Sequence, residues 1–580
     1  MSQRPPIIAK RSVIVSMAML LLVGGITFLP ALNNAFVWDD DFNLVDNTHF
    51  RGFTGSHLAW MFTTFHDGNY HPLCWVTFGL DYVLWSLDPF GFHLTHLILH
   101  LFNGLACYLL ILKLLEAAGA GEKRTSDHVA WGALFGAMFF MVHPLRVETV
   151  AWLSTRGDLV CGLFYMTCLT AYINRAQAKV PAVRYRWYIL SLVCFGLSLL
   201  SRAWGITLPV VLLILDWYPL GRFTRPMNRG AVLKLITEKI PYVLMAASAA
   251  VLAIMAKMAS MQPLAEHGVV NRILQSFYGL AFYPLKTVLP VHLSPLYLFK
   301  HTNSFLTWPF IVSGVVVILV TLVLLAKARR WPWALAAWMA YGVIVSLQLG
   351  IVQSGPQITA DRYSYLSCLP FAVLLAGGVY RWSAAIAADP AGQGRKLLQT
   401  LVLCAVIAVL SITSVYQNRI WRNKLTLWSH TIRVDPRNSV AYWNRGLLLD
   451  ALGEKQLAKA DYTELIRLNP ASSKAYNNRG NILQLEGKWV EARRDFDRAI
   501  ELNGKSPEAH ASRGVLNMLE NRPDDAIVDF KMALSLASAN WPKREKANEM
   551  LAQLQTSAMV PPDNGDDPPV VVESGRNDGP

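Results

Sequence analysis

Ala441-Tyr-Trp-Asn-Arg-Gly446, Ala475-Tyr-Asn-Asn-Arg-Gly480 and Ala509-His-Ala-Ser-Arg-Gly514 are one segment written three times, 34 residues apart. Asp461-Tyr462, Asp495-Phe496 and Asp529-Phe530 keep the same period, as do Ala458, Ala492 and Ala526. A small residue where two helices cross, an aromatic residue four later and Pro470 at a repeat end predict paired antiparallel helices stacked into a solenoid. The repeats are 439–472, 473–506 and 507–540. The segment Trp428 to Pro436 reads as a lone second helix, a half repeat ahead of them.

This is the period and pattern of tetratricopeptide (TPR) repeats. Outward from it, toward the N-terminus, the chain changes character. Of the 580 residues 53% are hydrophobic and 16% are charged, against about 25% charged in an average soluble domain. Apolar runs long enough to approach a membrane span occupy 13–32, 93–116, 129–143, 157–174, 187–200, 204–218, 240–259, 306–327, 332–350, 363–381 and 397–416. The first run lacks a small-residue cleavage site and more spans follow it, so it reads as a retained helix. The run 272–290 carries Arg272, Pro284, Lys286 and Pro290. Letting it cross would place Lys327, Arg329 and Arg330 outside, so it reads as re-entrant or interfacial. About eleven spans follow, with the N-terminus inside and the repeats on the non-cytoplasmic side. The fold class is all-α: a polytopic membrane helix bundle over 1–420, TPR repeats over 421–555, and a Pro-, Gly- and Asp-rich disordered tail over 556–580.

Charge and cysteine usage narrow the function. The net charge is +14, but residues 421–580 hold 22 Lys/Arg and 22 Asp/Glu. The excess therefore belongs to the apolar part, where it is a topology signal rather than a nucleic-acid footprint. The seven Cys form no CxxC pair, which argues against a disulfide scaffold or a zinc ribbon.

Ionisable groups beside or inside spans are costly and usually functional. Trp38-Asp39-Asp40-Asp41 lies just outside the first span. Three adjacent acids repel one another, which helps keep one available as a base or ligand. His71-Pro72 opens an aromatic stretch, 73–87, suited to an interfacial helix. His93, His96, His100 and Asn103 make one polar stripe down a helix and must face the bundle interior. No metal motif accompanies the stripe. His143-Pro144-Leu-Arg146-Val-Glu148 and Arg156-Gly157-Asp158 place cations and acids at one outer boundary. Ser201-Arg202 and Asp361-Arg362-Tyr363 join them at that face. Acids and cations converging at one membrane face suggest a general base beside an anion clamp. No nucleotide fingerprint is visible, so the phosphate would come from a membrane-carried donor.

The stretches Phe36-Val-Trp-Asp39-Asp40, Tyr70-His-Pro72-Leu, Gly91-Phe-His93-Leu, His143-Pro144-Leu-Arg-Val-Glu148-Thr-Val, Arg156-Gly-Asp158-Leu, Leu200-Ser-Arg202-Ala-Trp-Gly-Ile-Thr and Ala360-Asp361-Arg362-Tyr-Ser-Tyr365-Leu resemble, in order and position, the transmembrane-and-TPR O-mannosyltransferases of the glycosyltransferase C superfamily. The resemblance covers about 540 residues. It implies transfer of a sugar, usually mannose, from a polyprenyl phosphate to a protein Ser or Thr, with inversion. It also implies an acid of the first outer loop as base: Asp40, the second acid of the matching pair, or Asp39. Donor phosphate and substrate would meet His93, His143, Arg146, Glu148, Arg156, Asp158, Arg202 and Arg362. Trp443, Asn477 and Asn481 would line the TPR groove by repeat position and hold an acceptor protein. No cofactor is required; a divalent metal is compatible with the superfamily but not demanded by these residues. The membrane would be a bacterial inner membrane or the endoplasmic reticulum. The chain departs from the family's usual pattern at His71, at His96 and at Arg202-Ala203, where the family has Arg, Asn and Lys-Glu. Two other readings stay open: a superfamily member acting on a lipid or glycan acceptor, and a non-catalytic membrane scaffold whose repeats assemble partners.

Overall fold

The computed structural model describes residues 10–119, 126–223, 229–258, 268–298, 307–350, 355, 357–389 and 392–559. The chain forms two compact units, residues 1–436 and 437–580. Among the described residues both are helical apart from one short antiparallel pairing, Tyr297–Leu298 with Gln357–Thr359. The tail expected from 556 lies, from 560 onward, outside the described residues.

The chain is a multi-pass membrane protein. Seven described helices are long and apolar enough to cross a bilayer: Arg11–Asn33, Pro89–Ala118, Pro181–Ser201, Val232–Lys257, Trp308–Ala326, Leu369–Ala387 and Gln393–Ile420. An eighth is formed if Asp127–Val142 and Pro144–Ala151, bent by 54° at their junction, count as one span. The expected total of eleven is not confirmed among the described residues. The run 157–174 is the helix Arg156–Gln177, which begins with buried Arg156 and Asp158 and ends beside Arg175. The runs 204–218 and 332–350 form helices of only 10 and 14 residues, Leu208–Trp217 and Pro332–Val345. The segment 272–290 is one helix, Val269–Val288, with Pro284 inside it and Arg272 buried.

Trp308–Ala326 leaves Val315, Val316, Leu319 and Leu322 exposed. That suits a helix whose own backbone bonds are complete and whose surroundings are lipid. Pro89–Ala118 is different. Its His93, His96, His100 and Asn103 are all fully buried, and the helix packs on Asp127–Val142 and Arg156–Gln177. The break after Val142 follows from Pro144, which disfavours helix at the preceding residue. His143 caps the next turn by accepting from the Leu145 amide at 3.2 Å. The break turns Arg146 and Glu148 into the protein.

A second ionic knot binds the helices Arg156–Gln177, Leu208–Trp217 and Arg229–Lys257. Arg222 donates to Asp216 at 3.0 Å and to both Glu238 oxygens at 2.9 Å. Lys239 donates to Asp216 at 2.7 Å, Arg175 pairs with Glu238, and the Tyr172 hydroxyl sits among all of them.

In the C-terminal unit each repeat carries the same fastening. Arg445 holds Asp461 through two bonds of 2.8 and 2.7 Å. Arg479 holds Asp495 at 2.8 and 2.8 Å, and Arg513 holds Asp529 at 2.9 and 2.8 Å. The glycine after each Arg lets the partner helix approach: a Cβ on Gly480 would lie 2.7 Å from the Phe496 ring, and one on Gly446 2.8 Å from Tyr462. Gly514 is looser, at 3.2 Å from Phe530. Overpacking of this kind costs about 1–3 kcal/mol. Gly480→Ala should therefore destabilise the repeats by that amount, and Gly514→Ala by less. Denaturant unfolding read by hydrogen exchange in 473–506 and 507–540 checks the order.

Candidate functional site

The site grows from the turn after the first helix. Lys10–Phe28 runs into a 3₁₀ turn, Leu29–Asn33, that contains Pro30. Asn34 to Val37 then leave helical geometry. The Asn34 side chain donates to the Asn418 side-chain oxygen at 3.1 Å, and the Ala35 amide donates to the Arg422 carbonyl at 3.0 Å. Trp38 follows with φ +54°, a left-handed conformation that costs a bulky residue on the order of 1–3 kcal/mol. Stacking holds it there: its ring lies 4.7 Å from Trp152, 7° from parallel. Because Trp38 turns the chain so sharply, the next two carboxylates point into different surroundings.

Asp40 is fully buried. Its Oδ2 accepts from the Val37 amide at 3.0 Å. Its Oδ1 accepts from the Ser154 amide at 2.9 Å and the Ser154 hydroxyl at 2.7 Å. Burial pushes this carboxyl up to about 7, against the opposing pull of those bonds. Asp39 is only partly buried, and among the described residues its carboxylate has no hydrogen-bond or ion-pair partner. Burial first, then the Asp67 charge, push it up to about 6, while Arg362 pulls it down. Asp41 is spoken for by an ion pair with Lys424.

The predicted cations also divide. Arg362 is buried. It donates from its amide at 2.8 Å and its guanidinium at 2.5 Å to Glu148, and its guanidinium lies 5.1 Å over the Trp152 ring. Arg156 is sealed: it pairs with Asp81, donates to the Thr77 and Phe92 carbonyls at 3.3 and 2.9 Å, and covers the Phe78 ring at 4.2 Å. Arg146 is buried too, donating to the Phe140 carbonyl at 3.3 Å and the Ser364 hydroxyl at 2.9 Å. Arg202 differs from all three. Its Nε is fixed on Asp158 at 2.9 Å with the side chain 20% exposed, and among the described residues its two terminal nitrogens have no hydrogen-bond partner. Asp158 also accepts from the Trp204 indole at 3.0 Å. Arg202 and Arg362 both act electrostatically on Asp158, and Arg362 acts on Asp39 as well.

The histidines are mostly committed to structure. His143 bonds the Thr287 carbonyl and the Leu145 amide at 3.0 and 3.2 Å. His100 bridges the Tyr365 hydroxyl and the Met141 carbonyl, both at 2.9 Å. His93 is buried, and among the described residues neither ring nitrogen makes a hydrogen bond of normal geometry. Burial, together with Arg202, pushes His71 down to about 3, which leaves it neutral. No group of three or more His, Cys, Asp or Glu is arranged to hold a metal among the described residues. Of the TPR residues, Trp443 packs 6.2 Å from Tyr462, Asn481 is partly exposed, and Asn477 is buried with its side-chain oxygen unpartnered.

The arrangement can take a proton at Asp39 and an anion at Arg202. Sequence reading missed Ser154, Trp152, Trp204, Asp67 and Asp81. Only Asp81 carried a signal, an acid in an otherwise apolar interfacial helix. The others become visible only when distant segments meet.

The tetratricopeptide repeat family model matches residues 439–472 and again 473–506. The chain is 29% identical over 226 residues to Protein O-mannosyl-transferase TMTC4 of Homo sapiens, covering 35% of this chain and 30% of that one. It is 27% identical over 215 residues to Protein O-mannosyl-transferase TMTC2 of Homo sapiens, covering 34% and 23%. It is 27% identical over 184 residues to Protein O-mannosyl-transferase Tmtc3 of Drosophila melanogaster, covering 30% and 20%. The matches thus span less than a third of each relative. The Arabidopsis OM64 TPR domain aligns over 20% of this chain and 95% of its own at 25% identity and a TM-score of 0.19, too low to carry a structural argument.

Asp39 and Asp40 should separate in a stability experiment. Asp40→Asn turns an NH₂ toward the Val37 or Ser154 donors and leaves a buried group unsatisfied, at a cost of about 1–3 kcal/mol. Asp39→Asn loses no bond and removes a charge that burial and Asp67 disfavour, so it should hold or raise the melting temperature near neutral pH. The pH dependence has a definite sign. A carboxyl raised from 3.8 to about 7 by folding contributes stability that is complete below about pH 4 and lost as pH rises through about 7. Asp40→Asn should flatten that slope in thermal unfolding of the detergent-solubilised protein.

Proposed function

We propose that this protein is a membrane O-mannosyltransferase that moves mannose from a polyprenyl phosphate to Ser or Thr of proteins at the non-cytoplasmic face. The supporting observation is Asp39: a partly exposed carboxylate without a partner among the described residues, raised to about 6, under the charge of Arg362, which also acts on the Asp158 that holds Arg202, a fork whose ends have no partner among the described residues. The names of the curated relatives support the reaction class.

Asp39, rather than Asp40, is the general base in this reading. It takes the proton of the acceptor hydroxyl as that oxygen attacks the anomeric carbon. The bond from the anomeric carbon to the phosphate oxygen breaks, and its electron pair leaves with the lipid phosphate. One displacement inverts the anomeric centre. Arg202, steadied by Asp158, meets the departing phosphate with both terminal nitrogens. Arg362 sets the charge at Asp39 through its pair with Glu148. Arg156, Arg146 and His143 hold the bundle that carries these groups. The groove face of the repeats, with Trp443 and the partly exposed Asn481, holds the acceptor polypeptide through amide pairing with its backbone, and buried Asn477 supports that face from within.

Asp39→Asn should lower the rate of mannose transfer by about 10²-fold or more, the usual contribution of a positioned base. The wild-type rate should fall with acid through a midpoint near pH 6, because only the deprotonated form accepts the proton. Transfer from a synthetic polyprenyl-phosphate mannose to a Ser/Thr peptide measures both, and full activity of Asp39→Asn rejects the assignment. Arg202→Lys keeps the charge but loses the fork. It should raise the donor KM by about tenfold with little change for the peptide.

A further inference from the structure

Helix Lys424–Val434 has the sequence of a TPR half repeat, yet it folds with the first unit, which runs to Pro436. Its contacts fall on the loop that carries Asp39. Lys424 pairs with Asp41. Trp428, 2% exposed, packs edge-to-face on Trp38, with ring centroids 5.3 Å apart and planes at 70°. Trp421, just ahead of this helix, lies 5.9 Å from the other ring of the stack, Trp152. The Arg422 carbonyl accepts from the Ala35 amide at 3.0 Å. At the far side of the helix, His430 bonds the Leu293 carbonyl at 2.9 Å. The half repeat thus touches the turn immediately before Asp39 and the residue two beyond it, while making no bond to Asp39 itself.

We propose that helix Lys424–Val434 is a latch on the first outer loop, with Trp428 as a positioning residue that holds Trp38 in its left-handed turn and so aims Asp39. The stack needs two sides. Trp152 covers one face of Trp38, and Trp428 closes its edge. Without Trp428, Trp38 can relax toward the ordinary φ region that its side chain prefers, and Asp39 swings with it. The ion pair Lys424–Asp41 ties the same loop from the exposed side, where such pairs are individually weak. The aromatic contact therefore carries most of the hold. The stretch 421–436 is in this view part of the loop's machinery.

The kinetic half of the test rests on the base assignment above; the structural half does not. Hydrogen exchange of the full chain in detergent reads the loop directly. Trp428→Ala should speed exchange in 35–46 by about threefold or more while leaving 72–85 unchanged, since only the latched segment opens. Unchanged exchange in 35–46 overturns the latch. Should Trp428→Ala lose monodispersity, Trp428→Leu, which keeps apolar volume but removes the ring that meets Trp38, carries the same measurement with the same two outcomes. In transfer assays Trp428→Ala should lower kcat by about tenfold, as misplacement of a reacting group does, with donor KM within about twofold. Loosening also relieves the burial that raises Asp39, so the acid limb near pH 6 should move down by about half a unit or more. The charged groups facing Asp39 are Asp40 and Asp41 on its own loop, Asp67, Arg362, and Lys424 beyond Asp41; Trp428→Ala removes none of them. Trp428→Phe should recover most of the rate and the original limb. A kcat and acid limb unchanged in Trp428→Ala would also overturn the proposal. If Asp39→Asn stays fully active, the base assignment falls, and the exchange result alone decides the latch.

Discussion

A carboxylate with no exposure to solvent and both oxygens committed holds the outer end of the membrane unit in register. Asp40 ties Val37, on the loop after the first helix, to Ser154, on the turn after the broken span. Those segments are 114 residues apart in sequence. Such a group is expensive to bury and more expensive to leave unpaired. In the geometry that satisfies Asp40, Trp38 takes the left-handed turn. Asp39 is left outside the knot as a consequence. Full satisfaction at one residue leaves its neighbour's carboxylate unbonded among the described residues.

The same division of labour recurs among the arginines. Arg156 and Arg362 have carboxylate partners and carbonyl or aromatic neighbours that engage the ends of their guanidinium groups. Arg202 spends one nitrogen on Asp158 and keeps two. A guanidinium held at its Nε is oriented without being used up. Position at a span end does not distinguish these cases. The number of partners reaching each head group does.

Much of the fold could be read directly from the sequence. The 34-residue spacing of Gly446, Gly480 and Gly514 specifies helix pairs because a side chain there would strike the facing aromatic ring. The spacing of His93, His96, His100 and Asn103 puts them on one helical face, and all four are buried. The number of spans was less legible. Apolarity does not reveal that a helix will break at Pro144 or end after ten residues at Trp217. The choice between Asp39 and Asp40 was illegible for another reason. Adjacent residues of the same type differ only through the backbone turn at Trp38, and that turn is imposed by Trp152 and Trp428, far away in sequence. Sequence spacing reports local periodicity well, but not which distant partner arrives.

The knot of Tyr172, Arg175, Asp216, Arg222, Glu238 and Lys239 bears on how this chain can vary. Its members come from several segments, and each acid serves more than one cation. Three cations share two acids, so loss of either acid leaves cations uncompensated in a largely buried place, where removal of a single partner is strongly destabilising. Replacement of a whole acid–base set by apolar groups of similar volume need not be. Drift at these positions is therefore confined to concerted steps, with opposite charges appearing or vanishing together. Six residues that perform no chemistry would then behave, in any collection of variants, as a single heritable unit.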